Sequence, residues 1–81
     1  MAKTPETTFR LGNVSASVFV NEANGDGGKK RKFRSVNVQR SYRDGDETKF
    51  VSSFGLSDLP TAIRVLQLAQ AHVESKEAQS D

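Results

Sequence analysis

From Thr7 to Val20 apolar and polar residues alternate, which predicts extended chain: Val14, Ala16, Val18 and Val20 fall on one face and Ser15, Ser17 and Phe19 on the other. Gly12-Asn13 interrupts the alternation, either as a bulge in one long strand or as a turn that sets off a short leading strand, Thr7 to Leu11. The glycine-rich run Asn24-Gly25-Asp26-Gly27-Gly28 predicts a turn whose backbone needs positive φ, and the alternation resumes at Val36 and Val38. These two valines join the Val14, Ala16 and Val18 face only if opposed residue numbers have an even sum. A hairpin register centred on Asp26 meets that condition, pairing Ala16 with Val36 and Phe19 with Phe33.

A second turn is expected at Arg43-Asp44-Gly45-Asp46-Glu47, since Asp-Gly is a strong hairpin signal. The strand after it, Thr48 to Phe54, has two readings. With Asp44-Gly45 alone as the loop, Val51 joins the core face and Phe50 and Phe54 stand with Phe33; with one more loop residue, Phe50 and Phe54 become core. Phe54 is assigned to the core because burying a ring outweighs a loop-length preference, and Phe50 is left between the two faces.

Gly55-Leu56-Ser57 leaves the sheet, and Ser57 or Asp58 can cap a helix whose first turn tolerates Pro60 and which should run to about Ser75. On a helical wheel Leu59, Ala62, Ile63, Leu66 and Val73 form one stripe, and Val65, Leu68, Ala69 and His72 a second beside it. One sheet face does not cover so wide an apolar arc. The second stripe, Val65, Leu68, Ala69 and His72, is therefore expected to be the interface of a homodimer, the competing reading being a partly exposed edge of the helix. The elements add up to an α+β domain over residues 7–75, a three- to four-stranded antiparallel meander followed by one long C-terminal helix packed on one sheet face. A disordered tail at residues 1–6 and an acidic tail at 76–81 flank it.

Composition narrows the picture. At 81 residues, 35% of them hydrophobic, and with a mean hydropathy of -0.60, the chain holds one thin-cored domain, marginal without a staple or a partner chain. With no cysteine, disulfides and thiolate metal sites are excluded. No apolar run approaches a membrane span, and the N-terminus lacks the apolar core of a secretory signal, so no membrane partner and a cytoplasmic location are expected. The Asn13-Val14-Ser15 triplet matches a glycosylation acceptor but has no consequence without secretion.

Net charge is only +2, yet between Lys29 and Lys49 eight cations face three anions. Lys29, Lys30, Arg31, Lys32 and Arg34 form a cationic block around Phe33, extended by Arg40, Arg43 and Lys49. Such a block can neutralise phosphates, while Phe33 and Phe19, set among Ser15, Ser17, Ser35, Asn37 and Gln39, suit base stacking and adaptable hydrogen bonding. The competing readings are a cationic hairpin tip that guards an edge strand and a cross-strand aromatic pair that only stabilises the hairpin.

The strand-strand-strand-helix order, the Lys-rich second strand, the charged turn, Lys49 entering the last strand, and the Phe54-Gly55-Leu56-Ser57-Asp58-Leu59-Pro60 step into the helix together resemble the single-stranded-DNA-binding domain of positive cofactor four, whose plan the Pur-alpha and Whirly proteins share. The likeness spans roughly residues 13–75 and rests on element order and charge placement. It implies a dimer built through the helix, a role in transcription regulation, and single strands bound across the sheet by basic and aromatic side chains. The runs Ser41-Tyr42-Arg43-Asp44-Gly45-Asp46 and Ser53-Phe54-Gly55 are also similar to those of small uncharacterised bacterial proteins, which implies no activity.

Catalytic chemistry finds no foothold. His72 is the only histidine and sits on the helix; Asp44, Asp46 and Glu47 lack a calcium-loop pattern; Gly25-Asp26-Gly27-Gly28 lacks the spacing and trailing lysine of a phosphate loop. No catalytic residue, metal site or cofactor is expected. The expectation is a binding module for single-stranded DNA or RNA without strong sequence preference, with a small interaction module for an acidic protein partner as the alternative.

Overall fold

The computed structural model describes residues 4–24, 26–28 and 30–78. Four strands, β1 (Thr7–Leu11), β2 (Val14–Asn24), β3 (Lys30–Asp44) and β4 (Glu47–Val51), form one antiparallel sheet in sequence order, and the helix α1 (Leu59–Ala78) packs on one of its faces. The fold is thus the α+β meander plus C-terminal helix that the alternation predicts, with Gly12-Asn13 acting as a turn and not as a bulge. Gly12 and Gly45 each sit at positive φ, 61° and 65°, as the first residue of a two-residue turn, the position where a type II′ hairpin calls for glycine.

The β2–β3 register keeps the expected parity but is displaced by two residues. Ala16 lies opposite Val38, Val18 opposite Val36 and Phe19 opposite Ser35, so the hairpin is centred on Gly27 and not on Asp26. The cause is local: Gly27 and Gly28 are both left-handed, at φ 77° and 80°, which places the 3-10 turn Asp26–Gly28 at the bend. Phe19 and Phe33 are therefore diagonal neighbours on one face and not a directly opposed pair.

The second hairpin pairs Asp44 with Glu47, so Gly45-Asp46 is the loop. Its parity matches the shorter-loop reading, with Val51 on the helix side and Phe50 opposite Ser41 on the far side. The last strand stops at Val51 instead of continuing to Phe54. Phe54 still packs on the core, from the irregular segment that follows the strand.

The core is small residues meeting small residues. Val14, Ala16 and Val18 of β2 are fully buried against Ala62, Val65 and Ala69 of α1, with Phe9, Val36, Val38, Phe54 and Val73 packed around them. This corrects the assignment of the helix faces. Val65, Leu68, Ala69 and His72 do not form an outward interface: Val65 and Ala69 are fully buried on the chain's own sheet, Leu68 is half-buried, and His72 bonds Glu6. Alanines at 62 and 69 let the helix approach the sheet closely, where leucine or isoleucine would hold it off, so the bulky residues turn outward: Leu59, Ile63 and Leu66 are 43%, 54% and 45% exposed.

Each end of the helix is latched by an arginine of β3. At the start, Asp58 accepts a hydrogen bond from the Gly55 amide at 3.1 Å, and Arg40 reaches both the Ser53 carbonyl at 3.0 Å and the Asp58 carboxylate at 3.5 Å. At the end, Arg34 donates to both oxygens of Glu6, at 2.9 and 3.0 Å, and to Glu77 at 3.0 Å. Glu6 also meets His72 Nε2 at 2.9 Å, and its amide bonds the Val18 carbonyl. Glu6, expected in a free tail, is thus fixed to the sheet and helix, and the helix continues past Ser75 to Ala78.

A helix of this length spans about 30 Å and β3 about 50 Å, and the β2–β3 ribbon runs four residues, about 13 Å, beyond the Arg34 latch to Lys30. The overall extents of 51 × 28 × 17 Å reflect that projection.

Candidate nucleic-acid interface

The pairing assigns every strand residue to a face. The face away from the helix carries Thr8 and Arg10 from β1; Ser15, Ser17, Phe19, Asn21 and Ala23 from β2; Arg31, Phe33, Ser35, Asn37, Gln39, Ser41 and Arg43 from β3; and Thr48 and Phe50 from β4. None of these strand residues is acidic. Glu22, Asp44 and Glu47 of the strands all have the other parity, as does the helix-latching pair of Arg34 and Arg40. The acidic strand residues are therefore confined to one side of the sheet, while cations stand on both.

Three arginines and three phenylalanines stand on this open face. Among the described residues Arg10, Arg31 and Arg43 make no hydrogen bond or ion pair. Phe33 is 48% and Phe50 57% exposed, and Phe19 is half-buried between its neighbours. Between the rings lies a polar floor whose hydroxyls and amides are partly tied to one another, Thr8 to Ser17 at 3.1 Å and Asn21 to Ser35 at 2.9 Å. Near Phe50 the surface dips into a concavity of about 160 Å³ bordered by Arg10, Asn13, Ser15, Ser41 and Thr48. Its rim is held by the Asn13 amide group on the Ser41 carbonyl at 3.0 Å and the Ser41 amide on the Asn13 carbonyl at 2.8 Å. From Arg31 to Arg43 the strand covers about 40 Å, a track for several nucleotides.

The expected binding residues divide between the faces. Arg31, Phe33, Arg43 and Phe19 lie together on the open face. Lys32, opposite Glu22, and Lys49, paired with Asp44 at 3.0 Å, have helix-side parity, and Arg34 and Arg40 are the latches described above. Lys29 and the side chain of Lys30 lie outside the described residues. Sequence reasoning missed Arg10 and left Phe50 unplaced. Arg10 alternates with Phe9 and Leu11, and assigning Gly12-Asn13 as a tight turn brings it to the open face.

The electrostatics of the Arg34 latch differ in kind. Its guanidinium, followed by His72, holds the Glu6 carboxyl down at about 2 from an ordinary 4.5, and Glu6 raises Arg34 in return. Arg34 is thereby committed to the chain's own carboxylates and is not available to a phosphate. The described residues include no three His, Asp or Glu side chains gathered at a metal-binding position, and no helix is long and apolar enough to cross a membrane.

No protein-family model matches the chain, and neither a curated protein nor a solved structure matches it.

Proposed function

We propose that the protein is a binding module, not an enzyme, and that its open sheet face holds single-stranded DNA or RNA with little sequence preference. One observation carries the reading: a sheet face of four strands free of acidic strand residues, on which three arginines without partners among the described residues stand with three phenylalanines in two groups, over a floor of serine, threonine, asparagine and glutamine. Unpaired guanidiniums neutralise phosphates and release counterions; exposed rings accept the π-face of any base; hydroxyls and amides adapt to whichever base edge arrives. A flat face with rings standing proud suits unstacked bases better than a duplex, whose bases are reached only through its grooves.

Arg31, Phe33 and Phe19 serve the distal end of the track and Arg10, Phe50 and Arg43 the proximal end, with Ser35, Asn37 and Gln39 between. Fluorescence anisotropy of labelled single- and double-stranded oligonucleotides at several salt concentrations tests the reading. Micromolar or tighter single-strand binding at low salt, weaker for the duplex and declining steeply with salt, is expected. No single-strand binding at low salt refutes it. Equal binding to heparin replaces it with a surface for acidic partners in general.

A further inference from the structure

In an antiparallel ladder each residue turns both backbone groups toward one neighbouring strand, and the direction alternates along the chain. On β3 the Ser41 amide bonds the Asn13 carbonyl on the β2 side, so odd-numbered residues of β3 serve β2 and even-numbered ones face the other way. Arg40, Tyr42 and Asp44 meet β4 there, opposite Val51, Lys49 and Glu47. Lys32, Arg34, Val36 and Val38 do not, because β4 ends at Val51 and the chain leaves the sheet. The outward amides and carbonyls of these four have no partner among the described residues. Proline, a bulge or a free lysine usually protects such an edge. None of them stands between Phe33 and Gln39, where the single cation, Arg34, is already bound to Glu6 and Glu77.

The helix builds a wall along the same edge. At about 100° per residue, Leu59 and Leu66 lie within about 20° of Glu77 around the axis, and Glu77 reaches Arg34 of β3. Their side chains, both exposed, therefore overhang β3, where Val36 and Val38 are half-buried. An open row of hydrogen-bonding groups and an apolar ledge thus run side by side and end on Lys32, which has no ion pair among the described residues. We infer that this edge receives an extended segment of another protein as a fifth strand, antiparallel to β3 and in line with β4. Opposed residues share a face, so those of the segment opposite Val38 and Val36 point to the helix side and are apolar. The one opposite Lys32 is acidic, and the one opposite Arg34 is small, since that guanidinium already holds two carboxylates. A second copy of this chain fits less well. Two β3 edges paired about Val36 set Lys32 of each opposite Arg40 of the other, a like-charge pairing across strands. The edge lies beside the open face and not on it, so the inference is independent of nucleic-acid binding.

The probe is a labelled nine-residue peptide in which threonines alternate with valine, valine, serine and glutamate, in that order. It should bind the full chain with a Kd of about 100 μM or tighter. Leu66→Glu should weaken binding at least about tenfold with an unchanged circular dichroism spectrum, and so should serine in place of both peptide valines. In hydrogen exchange the Val36 and Val38 amides should be unprotected in the free chain and at least about tenfold slower at saturating peptide. Those of Ser35 and Asn37, which bond β2, should keep their rates. No binding at about 1 mM peptide, indifference to Leu66→Glu or to the serine peptide, or no slowing at Val36 and Val38 would overturn the inference. So would protection of those two amides in a free chain that sediments as a dimer, because a second copy then holds the edge.

Discussion

Replacing Arg10, Arg31 and Arg43 together by glutamine removes the open face's unpaired guanidiniums without touching the helix latches. Because none of the three has a partner among the described residues, the variant should fold as the wild type does. The effect on binding follows from counterion release: each phosphate neutralised on a single strand contributes about 0.7 to the slope of log affinity against log salt. With three fewer phosphates neutralised, the slope should flatten by about 2, and the affinity should fall most at the lowest salt. The matched control is Lys49→Gln, which removes a cation of helix-side parity already paired with Asp44 and should leave the slope within a few tenths of wild type. Anisotropy titrations at four or more salt concentrations measure both. An unchanged slope in the triple variant, or an equal fall in the control, would refute the sorting of function by sheet face.

Other perturbations bear on separate parts of the account. Phe33→Ala should cost about 1–3 kcal/mol of single-strand affinity with an unchanged salt slope, because a stacking ring carries no charge; isothermal titration checks both quantities. Ala69→Leu should destabilise the fold by about 1–3 kcal/mol in urea unfolding, since the added carbons enter the closed helix–sheet contact; an interface role for Ala69 would instead show as a change in association alone. Glu6 is an acid whose folded pKa is depressed, so its contribution is complete above 4.5 and is lost as pH falls toward about 2. Glu6→Gln should accordingly lower the thermal midpoint at neutral pH and show a shallower loss than wild type across that acid window, as followed by circular dichroism.

Residue parity made much of the fold legible. The alternation at Val14, Ala16 and Val18, repeated at Val36 and Val38, identifies the buried face and its antiparallel partner from the sequence alone. It fails to fix how many residues the bend takes up, because several glycine-rich conformations preserve parity; the left-handed pair Gly27-Gly28 selects one of them and moves the register by two. The same parity already separates Arg34 and Arg40 from Arg31 and Phe33, since they alternate in step with Val36 and Val38. Grouping them by charge with the lysine run overrode that signal, and the structure returns them to the helix side as latches.

The helix shows the opposite limit. A wheel reports which residues share a stripe but not which stripe meets the sheet when both are apolar. Closeness of approach decides, and it favours Ala62, Val65 and Ala69 over the larger Leu59, Ile63 and Leu66. Nor does the periodicity show that Glu6, a polar residue before the first strand, reaches Arg34 and His72, partners separated from it by 28 and 66 positions.

The central claim, that one face of the sheet receives a single strand and the other holds the helix, is tested most directly by side-chain amide resonances. Asn37 and Gln39 display their amides on the open face; Gln67 and Gln70 display theirs on the exposed helix. Titrating isotope-labelled protein with a short unlabelled oligonucleotide should shift the Asn37 and Gln39 amides together with the backbone signals around Phe33 and Phe50, while Gln67 and Gln70 stay in place. Shifts concentrated at Gln67 and Gln70, or no shifts at Asn37 and Gln39 when the strand is bound, would contradict the account.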